Sequence, residues 1–140
     1  MVTAMMVSTK GRYALRIVMD LAENGNGGYL PLSEIARRQN ISEKYLESIV
    51  ALLNKEGLVE ALRGKGGGYK LNKAPEAYTV AEIVRATEKS FAPVTCLEGE
   101  TNDCDRLADC KTIRMWEELY RRIDEYLSSV TIADLLTGAI

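Results

Sequence analysis

The sequence of 140 residues predicts a mostly α-helical protein that carries one small β-hairpin. Apolar residues recur at helical spacing along most of the chain, which indicates amphipathic helices that share a core. The exception is the glycine-rich run RGKGGGY, which lies between two short strand-like segments, as in a hairpin. A strict two-position heptad near the C-terminus predicts one longer helix. These observations favour a single compact unit.

Composition and charge limit the class of protein. The chain is 46% hydrophobic and 27% charged, as in a soluble globular protein. Neither a long apolar run nor the apolar core of a signal peptide is present, so we expect a cytoplasmic protein with no membrane partner. Histidine is absent, which removes Ser-His-Asp chemistry and His-containing zinc sites, and we expect no enzyme and no small-molecule substrate.

The net charge of −2 conceals an asymmetry along the chain. Residues 1–90 hold 13 Lys/Arg against 10 Asp/Glu, whereas residues 91–140 hold 5 against 10. A basic first part and an acidic second part indicate different partners for each. The difference is modest, so it does not by itself identify nucleic acid as a partner.

Three helices are predicted in the first part of the chain. Residues 1–5 are expected to be a disordered extension. The first helix begins at Ser8 and ends before Gly25, where a GNGG turn follows. A second, short helix ends at Asn40. Ser42 is placed to cap the third, which ends before Gly57.

The second and third helices form a helix-turn-helix pattern, for which the alternative is a generic pair of packed helices. The hairpin that follows favours a winged helix, because a wing comes directly after the second helix of such a pair. Its cations are expected at the wing tip, where glycines let the backbone approach a DNA groove and lysines or arginines pair with phosphates. These cations are Arg63, Lys65, Lys70 and Lys73. A nucleotide-binding loop is the weaker alternative, because the P-loop motif is missing.

The third helix is expected to enter the major groove of double-stranded DNA with its polar side chains outward. Ser42 and Tyr45 suit phosphate contacts, and Glu47 can accept a hydrogen bond from a cytosine amino group. The alternative for Glu47 is a solvated surface glutamate. Arg63 is expected in a narrow minor groove. The full set of predicted DNA-binding residues is Ser42, Lys44, Tyr45, Glu47, Ser48, Arg63, Lys65, Gly66 and Gly67.

Two further helices are predicted after the wing. Thr79 and Glu82 form a capping box that opens a helix ending near residues 89–90. The heptad predicts a helix over about residues 111–130, roughly 30 Å long, which we interpret as a dimerisation helix. The alternative is a helix lying across its own domain. Its apolar stripe consists of Ile113, Trp116, Tyr120, Ile123, Leu127 and Val130, and a short helical turn over residues 131–136 is expected to pack back.

The segment between these helices holds all three cysteines, Cys96, Cys104 and Cys110, in the spacing C-x7-C-x5-C. Five carboxylates and only Arg106 accompany them. Thiolates among carboxylates repel one another unless a cation lies between them, so we expect a metal centre. The alternative is three free cysteines in an acidic, mobile loop. A structural disulfide framework is less expected in a cytoplasmic protein.

Several runs of the sequence resemble one family. They are STKGRYAL at residues 8–15, ISEKYLESIV at 41–50, VEALRGKGGGYKL at 59–71, and the three-cysteine segment before a Trp-bearing helix. They resemble the Rrf-two (Rrf2) family of winged-helix transcription regulators, and in particular its iron–sulfur cluster regulators. The resemblance implies a homodimeric DNA-binding regulator, often a repressor, of iron–sulfur cluster biogenesis genes. It divides the chain into a winged helix-turn-helix domain at 6–90, a cluster loop at 91–111 and a dimerisation helix with its turn at 112–138.

The resemblance also implies that Cys96, Cys104 and Cys110 are cluster ligands, and that Glu47 discriminates between operators. We expect a [2Fe–2S] cluster, with [4Fe–4S] as the alternative found in nitric-oxide-sensing relatives. The family's usual fourth ligands are replaced here by Ile113 and Arg12. The remaining candidates are a partner-chain residue, an exogenous thiol, and the carboxylates Asp103, Asp105 and Asp109.

Two other functions stay open from the sequence. The same cysteines could sense oxidation or nitrosylation without a cluster. Alternatively, the chain could be an interaction module controlled by a bound enzyme, as in a cysteine-metabolism regulator of the family. That relative lacks the loop cysteines, so their presence here disfavours the second reading.

Overall fold

A computed structural model describes residues 7–88, 90–99, 101–102 and 104–140. The residues 1–5 that we expect to be disordered lie outside this part of the chain. The elements in chain order are α1 (Thr9–Asn24), α2 (Leu32–Gln39), α3 (Glu43–Lys55), β1 (Val59–Leu62), β2 (Gly68–Leu71), α4 (Val80–Thr87), α5 (Ile113–Ser129) and α6 (Ile132–Thr137). Short 3-10 turns lie at Pro75–Ala77, Thr95–Leu97 and Leu107–Asp109. The predicted fold class, mostly helical with a small hairpin, is confirmed.

The start of α1, the end of α2 and the start of α3 lie at the residues that the sequence predicts. The Ser8 hydroxyl accepts a hydrogen bond from the Gly11 N–H at the start of α1. Asn40 ends α2 in the left-handed region, with φ 54°, and the Ser42 hydroxyl caps α3 by accepting from the Tyr45 N–H. Asparagine tolerates this conformation because its short polar side chain can hydrogen-bond locally. The turn between α2 and α3 is therefore specified by local sequence.

The wing is an antiparallel hairpin whose second strand is hydrogen-bonded to a third short segment. Val59 pairs with Leu71, and Tyr69 makes two backbone hydrogen bonds with Leu30. Gly68 permits this close approach, because a Cβ atom there would lie 2.0 Å from the Leu30 carbonyl oxygen. Its φ of +148° is also one that residues with a side chain rarely adopt. The second strand of the wing is thus hydrogen-bonded to Leu30, two residues before α2 begins.

The main core lies between α1, α2, α3 and the wing base, and Ile83 of α4 and Ile132 of α6 complete it. Its largest fully buried side chains include Ile17, Ile35, Leu46, Ile49 and Leu53. Burying apolar surface of this kind is the dominant favourable term in folding. The core therefore fixes the orientation of α3, whose outer face remains exposed.

One carboxylate is buried at the edge of this core. Asp20 on α1 is 1% exposed and accepts hydrogen bonds from Arg38 Nη2 at 2.7 Å, Arg38 Nε at 3.0 Å and Gln39 Nε2 at 2.9 Å. Burial by itself would raise the pKa of Asp20, but the hydrogen bonds from Arg38 and Gln39 outweigh it, so its pKa is lowered. This ion pair ties α1 to the C-terminal end of α2.

A fully buried tyrosine joins the wing to the rest of the chain. The Tyr78 hydroxyl donates to the Leu58 carbonyl at 2.7 Å and accepts from the Asn72 N–H at 3.0 Å. These two groups lie just before β1 and just after β2, so one side chain holds both ends of the hairpin. The backbone of Tyr78 also accepts from the Ile132 N–H, at the start of α6.

The predicted capping box at Thr79 is only half present. The Thr79 hydroxyl caps α4, but the Glu82 carboxylate pairs with Lys73 at 2.8 Å instead of returning to the Thr79 N–H. The nearby cation offers a charged partner, which makes the stronger hydrogen bond. A complete box instead opens α6, between Thr131 and Asp134. Helix α4 also ends at Thr87, two or three residues before the predicted position.

A second, smaller core lies between α4, α5 and the residues that follow α4. The rings of Phe91 and Tyr120 meet edge to face at 6.3 Å between centroids. Val80, Val84 and Val130 complete its buried centre. Among the helices that the structure describes, none is long and apolar enough to span a membrane.

Candidate functional site

The outer face of α3 carries the predicted recognition residues. Lys44, Glu47 and Ser48 are exposed, and Tyr45 is half-buried. The alternation with buried Leu46, Ile49 and Val50 follows from helical periodicity. The structure therefore brings the predicted DNA-binding residues of this helix onto one accessible surface.

The two serines on this face differ in whether their hydroxyl can still donate a hydrogen bond to a ligand. The Ser42 oxygen accepts from the Tyr45 N–H, so its own proton is available to an external acceptor such as a phosphate oxygen. The Ser48 hydroxyl donates to the Tyr45 carbonyl at 2.6 Å, so only its lone pairs remain. Ser42 thus suits a phosphate, whereas Ser48 suits a donor such as a base amino group.

The wing separates the four predicted cations into two pairs. Arg63 and Lys65 lie exposed at the tip, beside Gly66 and Gly67. The expectation that Lys70 and Lys73 also lie at the tip is wrong, because β2 carries them back to the wing base. There, Lys70 Nζ lies 4.9 Å from the Tyr29 ring centroid, and Lys73 pairs with Glu82.

A cluster on α1 beside the recognition helix has no counterpart in the sequence predictions. The rings of Tyr13 and Tyr45 meet edge to face at 5.8 Å between centroids, and the guanidinium of Arg16 lies 4.9 Å from the Tyr13 centroid. Arg16 also hydrogen-bonds the side chain and backbone of Gln39. Helical spacing could have placed Tyr13 and Arg16 on one face, but not beside α3.

The three cysteines are spread along the segment between α4 and α5. Cys96 and Cys110 are half-buried and Cys104 is exposed, and all three are free thiols. Over residues 7–88, 90–99, 101–102 and 104–140, no three or more Cys, Asp or Glu side chains come together as a group that could hold a metal ion. The predicted ligands are therefore accessible but not gathered at one point.

The local chemistry of Cys110 favours the ligating form of the thiol. Its sulfur lies 3.5 Å from the Thr112 hydroxyl, and hydrogen bonds from the Thr112 side chain and backbone lower the pKa of the Cys110 thiol. The thiolate is the form that binds metals. Three thiols within one short segment are a donor set that fits iron–sulfur chemistry, although this conformation does not preform the site.

The structure describes two of the three carboxylates that are candidates for the fourth ligand. Asp105 and Asp109 are exposed, and Asp109 ends a 3-10 turn directly before Cys110. Asp103 lies outside the residues described. Ile113, at the position of the family's histidine ligand, is the first residue of α5. The described geometry selects no single candidate.

The predicted stripe of α5 is divided between two environments. Tyr120, Ile123 and Leu127 pack against the second core of the same chain, and Val130 is buried within it. Ile113 and Trp116, nearer the cysteine segment, are half-buried. A different set of apolar side chains is exposed along α5, namely Met115, Leu119 and Tyr126. The C-terminal half of the stripe, from Tyr120 to Val130, therefore matches the alternative of a helix that lies across its own domain.

A helix-turn-helix followed by a pinned two-stranded wing defines a winged-helix protein. The profile of the Rrf2 family, described as "Iron-dependent Transcriptional regulator", matches residues 7–138. The chain belongs to the Rrf2 family of transcriptional regulators.

Named relatives cover nearly the whole chain. The HTH-type transcriptional regulator IscR of Erwinia tasmaniensis is 38% identical over 134 residues, which are 96% of this chain and 80% of that protein. The structure of T. potens IscR matches with a TM-score of 0.75 at 37% identity, covering 96% of this chain and 88% of that one. CymR, described as the global cysteine regulator of B. subtilis, matches with a TM-score of 0.77 at 35% identity, covering 99% and 98%. These relatives are transcriptional regulators, not enzymes.

Proposed function

We propose that this chain is a DNA-binding transcription regulator controlled by an iron–sulfur cluster that Cys96, Cys104 and Cys110 ligate. The observation that carries the proposal is the position of three accessible thiols between the winged helix and α5 in an Rrf2-family chain. The iron dependence in the family's description supports iron as the metal. When bound, the cluster would supply a redox-sensitive group whose presence reports iron and sulfide supply.

Iron and acid-labile sulfide in anaerobically purified protein test the cluster. We expect both, with visible and Mössbauer spectra of a [2Fe–2S] centre. A [4Fe–4S] spectrum would favour the nitric-oxide-sensing alternative. The variant Cys96→Ser/Cys104→Ser/Cys110→Ser is the matched control and should lose both elements. A folded wild-type chain that binds no iron would refute the cluster.

Regulation by the thiols alone is a second candidate, favoured by the lowered pKa of Cys110 and the exposure of Cys104. A thiol of lowered pKa reacts more readily with oxidants because more of it is thiolate. This candidate predicts no iron or sulfide, and DNA binding that changes on treatment with peroxide.

DNA binding is assigned to α3 and the wing, with the protein acting in the cytoplasm as a homodimer. Glu47→Ala should alter base preference, because a carboxylate accepts selectively from cytosine. Lys65→Ala should weaken binding to all sequences and reduce its salt dependence, because it removes a phosphate contact. Equal effects of both substitutions on every operator would contradict these roles.

The dimer is assigned to α5. Trp116→Glu should yield a folded monomer in analytical ultracentrifugation, because Trp116 lies outside the second core of its own chain. Leu127→Glu is the contrasting variant and should destabilise the monomer itself. A Trp116→Glu protein that stays dimeric would place the interface elsewhere.

A further inference from the structure

Arg16 on α1 is an exposed cation without an acidic partner in the part of the chain that the structure describes. Its Nε donates to Gln39 Oε1 at 3.0 Å and its Nη2 to the Gln39 carbonyl at 2.6 Å. Its other contact is the face of the Tyr13 ring. All three partners are neutral, so the positive charge of Arg16 is not compensated by them.

The bonds to Gln39 use only one edge of the guanidinium. An arginine carries five N–H donors in a fixed plane, and the Nε and Nη2 donors on one side are engaged. The end of the plane, with Nη1 and the second N–H of Nη2, has no protein acceptor among the described residues. Two parallel donors of this kind match a phosphate group.

Gln39 is itself held in place, which orients Arg16. Its Nε2 donates to Asp20 Oδ2 at 2.9 Å, and Asp20 is fixed by Arg38 within the edge of the core. Because the amide nitrogen faces Asp20, the amide oxygen faces Arg16. An arginine that is oriented in advance loses less conformational freedom when it binds.

The contacts of Tyr13 place the guanidinium of Arg16 near the first turn of the recognition helix. The Tyr13 ring lies between them, because its centroid is 4.9 Å from the Arg16 guanidinium and 5.8 Å from the centroid of Tyr45 in the first turn of α3. From Gln39 the chain reaches Ser42, the cap of α3, in three residues, about 10 Å when extended. The N-terminal end of a recognition helix contacts base edges, with the DNA backbone close beside it.

We propose that Arg16 binds a backbone phosphate of double-stranded DNA, as a contact from α1 in addition to those of α3 and the wing. This inference rests on the proposed DNA binding. Phosphate contacts carry no base information, so Arg16 should contribute affinity to all sequences alike and help to fix the register of α3 on the duplex.

The test is the salt dependence of DNA affinity for Arg16→Gln, Arg16→Lys and the control Lys55→Gln. Arg16→Gln should reduce the slope of log K against log salt by about 0.9 for each Arg16 in contact, equally for specific and unrelated duplexes. Arg16→Lys keeps the charge, so it should keep the slope while losing the fork geometry and some affinity. Lys55 is the last residue of α3, far from Ser42, and Lys55→Gln should change neither quantity.

Arg16 is exposed, so we expect the variants to fold, which thermal melts will check. If folded Arg16→Gln shows the same slope of log K against log salt as wild type, this inference is overturned, whereas the proposed DNA binding by α3 and the wing is not affected. An equal loss of slope in Arg16→Lys would also overturn it, because that variant keeps the charge. Failure of the wild-type protein to bind any duplex would instead refute the proposed function.

Discussion

The winged helix at residues 7–88 and the cysteine segment at residues 90–112 are organised in opposite ways. The first has capped helices, a dense apolar core, a buried ion pair and a hairpin whose second strand is hydrogen-bonded to Leu30. Between Phe91, which packs in the second core, and the start of α5, the described residues of the cysteine segment include two short 3-10 turns and carry mostly exposed side chains. The surface proposed to contact DNA is thus fixed by the chain itself.

This difference indicates where a signal could act at low energetic cost. Segments with few buried apolar contacts open and rearrange with small free energies, whereas core elements resist change up to the global stability of the domain. Gathering three cysteines onto a cluster would require movement only in the loosely packed part. We therefore expect substitutions in the two regions to have very different effects on stability.

The largest effect is expected for Gly68→Ala at the start of β2, opposite Leu62. Its Cβ atom would meet the Leu30 carbonyl at 2.0 Å, so backbone must move apart and the Leu30–Tyr69 pairing is lost. We expect a loss of about 4 kcal/mol in the free energy of unfolding, measured by urea denaturation. Gly57→Ala is the control, since Gly57 also has a positive φ but no neighbouring atom within 4 Å. Gly57→Ala should lower the free energy of unfolding by about 1 kcal/mol. Equal losses in the two variants would show that the close contact of Gly68 with Leu30 does not stabilise the wing.

Asp20→Asn should have the next largest effect. It leaves the partly buried Arg38 with only the half-exposed carboxylate of Glu34, at 3.8 Å, and we expect a loss of about 2–3 kcal/mol in the free energy of unfolding at pH 7. The folded-state pKa of Asp20 is lowered, so its contribution is present above the unfolded pKa of about 3.9 and is lost as pH falls through the folded value. Urea midpoints from pH 7 to pH 3 should therefore fall less in Asp20→Asn than in wild type.

The control for this prediction is Asp124→Asn. Asp124 pairs with Arg85 on the surface, where both side chains are about half exposed, at 45% and 54%. Such a pair contributes about 0.5 kcal/mol or less. If Asp124→Asn lowered the free energy of unfolding as much as Asp20→Asn does, the contribution of these ion pairs would not depend on burial.

A smaller effect is expected for Tyr78→Phe. The substitution keeps the ring but removes the hydroxyl that joins Leu58 to Asn72. A buried carbonyl without a partner costs about 1–2 kcal/mol, so the urea midpoint should fall moderately. Hydrogen exchange should rise mainly at the wing base, and an increase spread evenly over the protein would contradict the role assigned to Tyr78.

The smallest effect on stability is expected for the triple variant Cys96→Ser/Cys104→Ser/Cys110→Ser in iron-free protein. These side chains are half-buried or exposed, so the change should be within about 0.5 kcal/mol. A loss above about 2 kcal/mol in the urea midpoint would show that the thiols support the fold, and the contrast between the two regions would fail.

The fold could be predicted from sequence wherever local chemistry determines it. Ser42, Asn40 and Gly57 mark helix boundaries because caps and left-handed residues depend on near neighbours. The buried ion pair could not be predicted, because Asp20 and Arg38 are distant in sequence and either one alone resembles a surface residue. Glu82 shows the same limit, since a local capping signal was outweighed by a lysine nine residues away.

The candidate site could be predicted only in part, for the same reason. The exposed face of α3 follows from periodicity, so Lys44, Glu47 and Ser48 were placed correctly on the surface. The contact of Arg16 with Gln39 depends on how two helices pack. The spacing of the cysteines identifies a donor set, but spacing does not determine how a segment with few packing contacts is arranged.

The backbone hydrogen bonds from Val80 N–H to the Val130 carbonyl and from Ile132 N–H to the Tyr78 carbonyl form a clasp. It closes a loop of about 50 residues that contains the cysteine segment, and the closure entropy of such a loop grows only with the logarithm of its length. Even doubling the loop would cost only about 0.6 kcal/mol. The cysteine segment can therefore gain or lose residues at small cost to stability, while the winged helix at the base of the clasp keeps its shape.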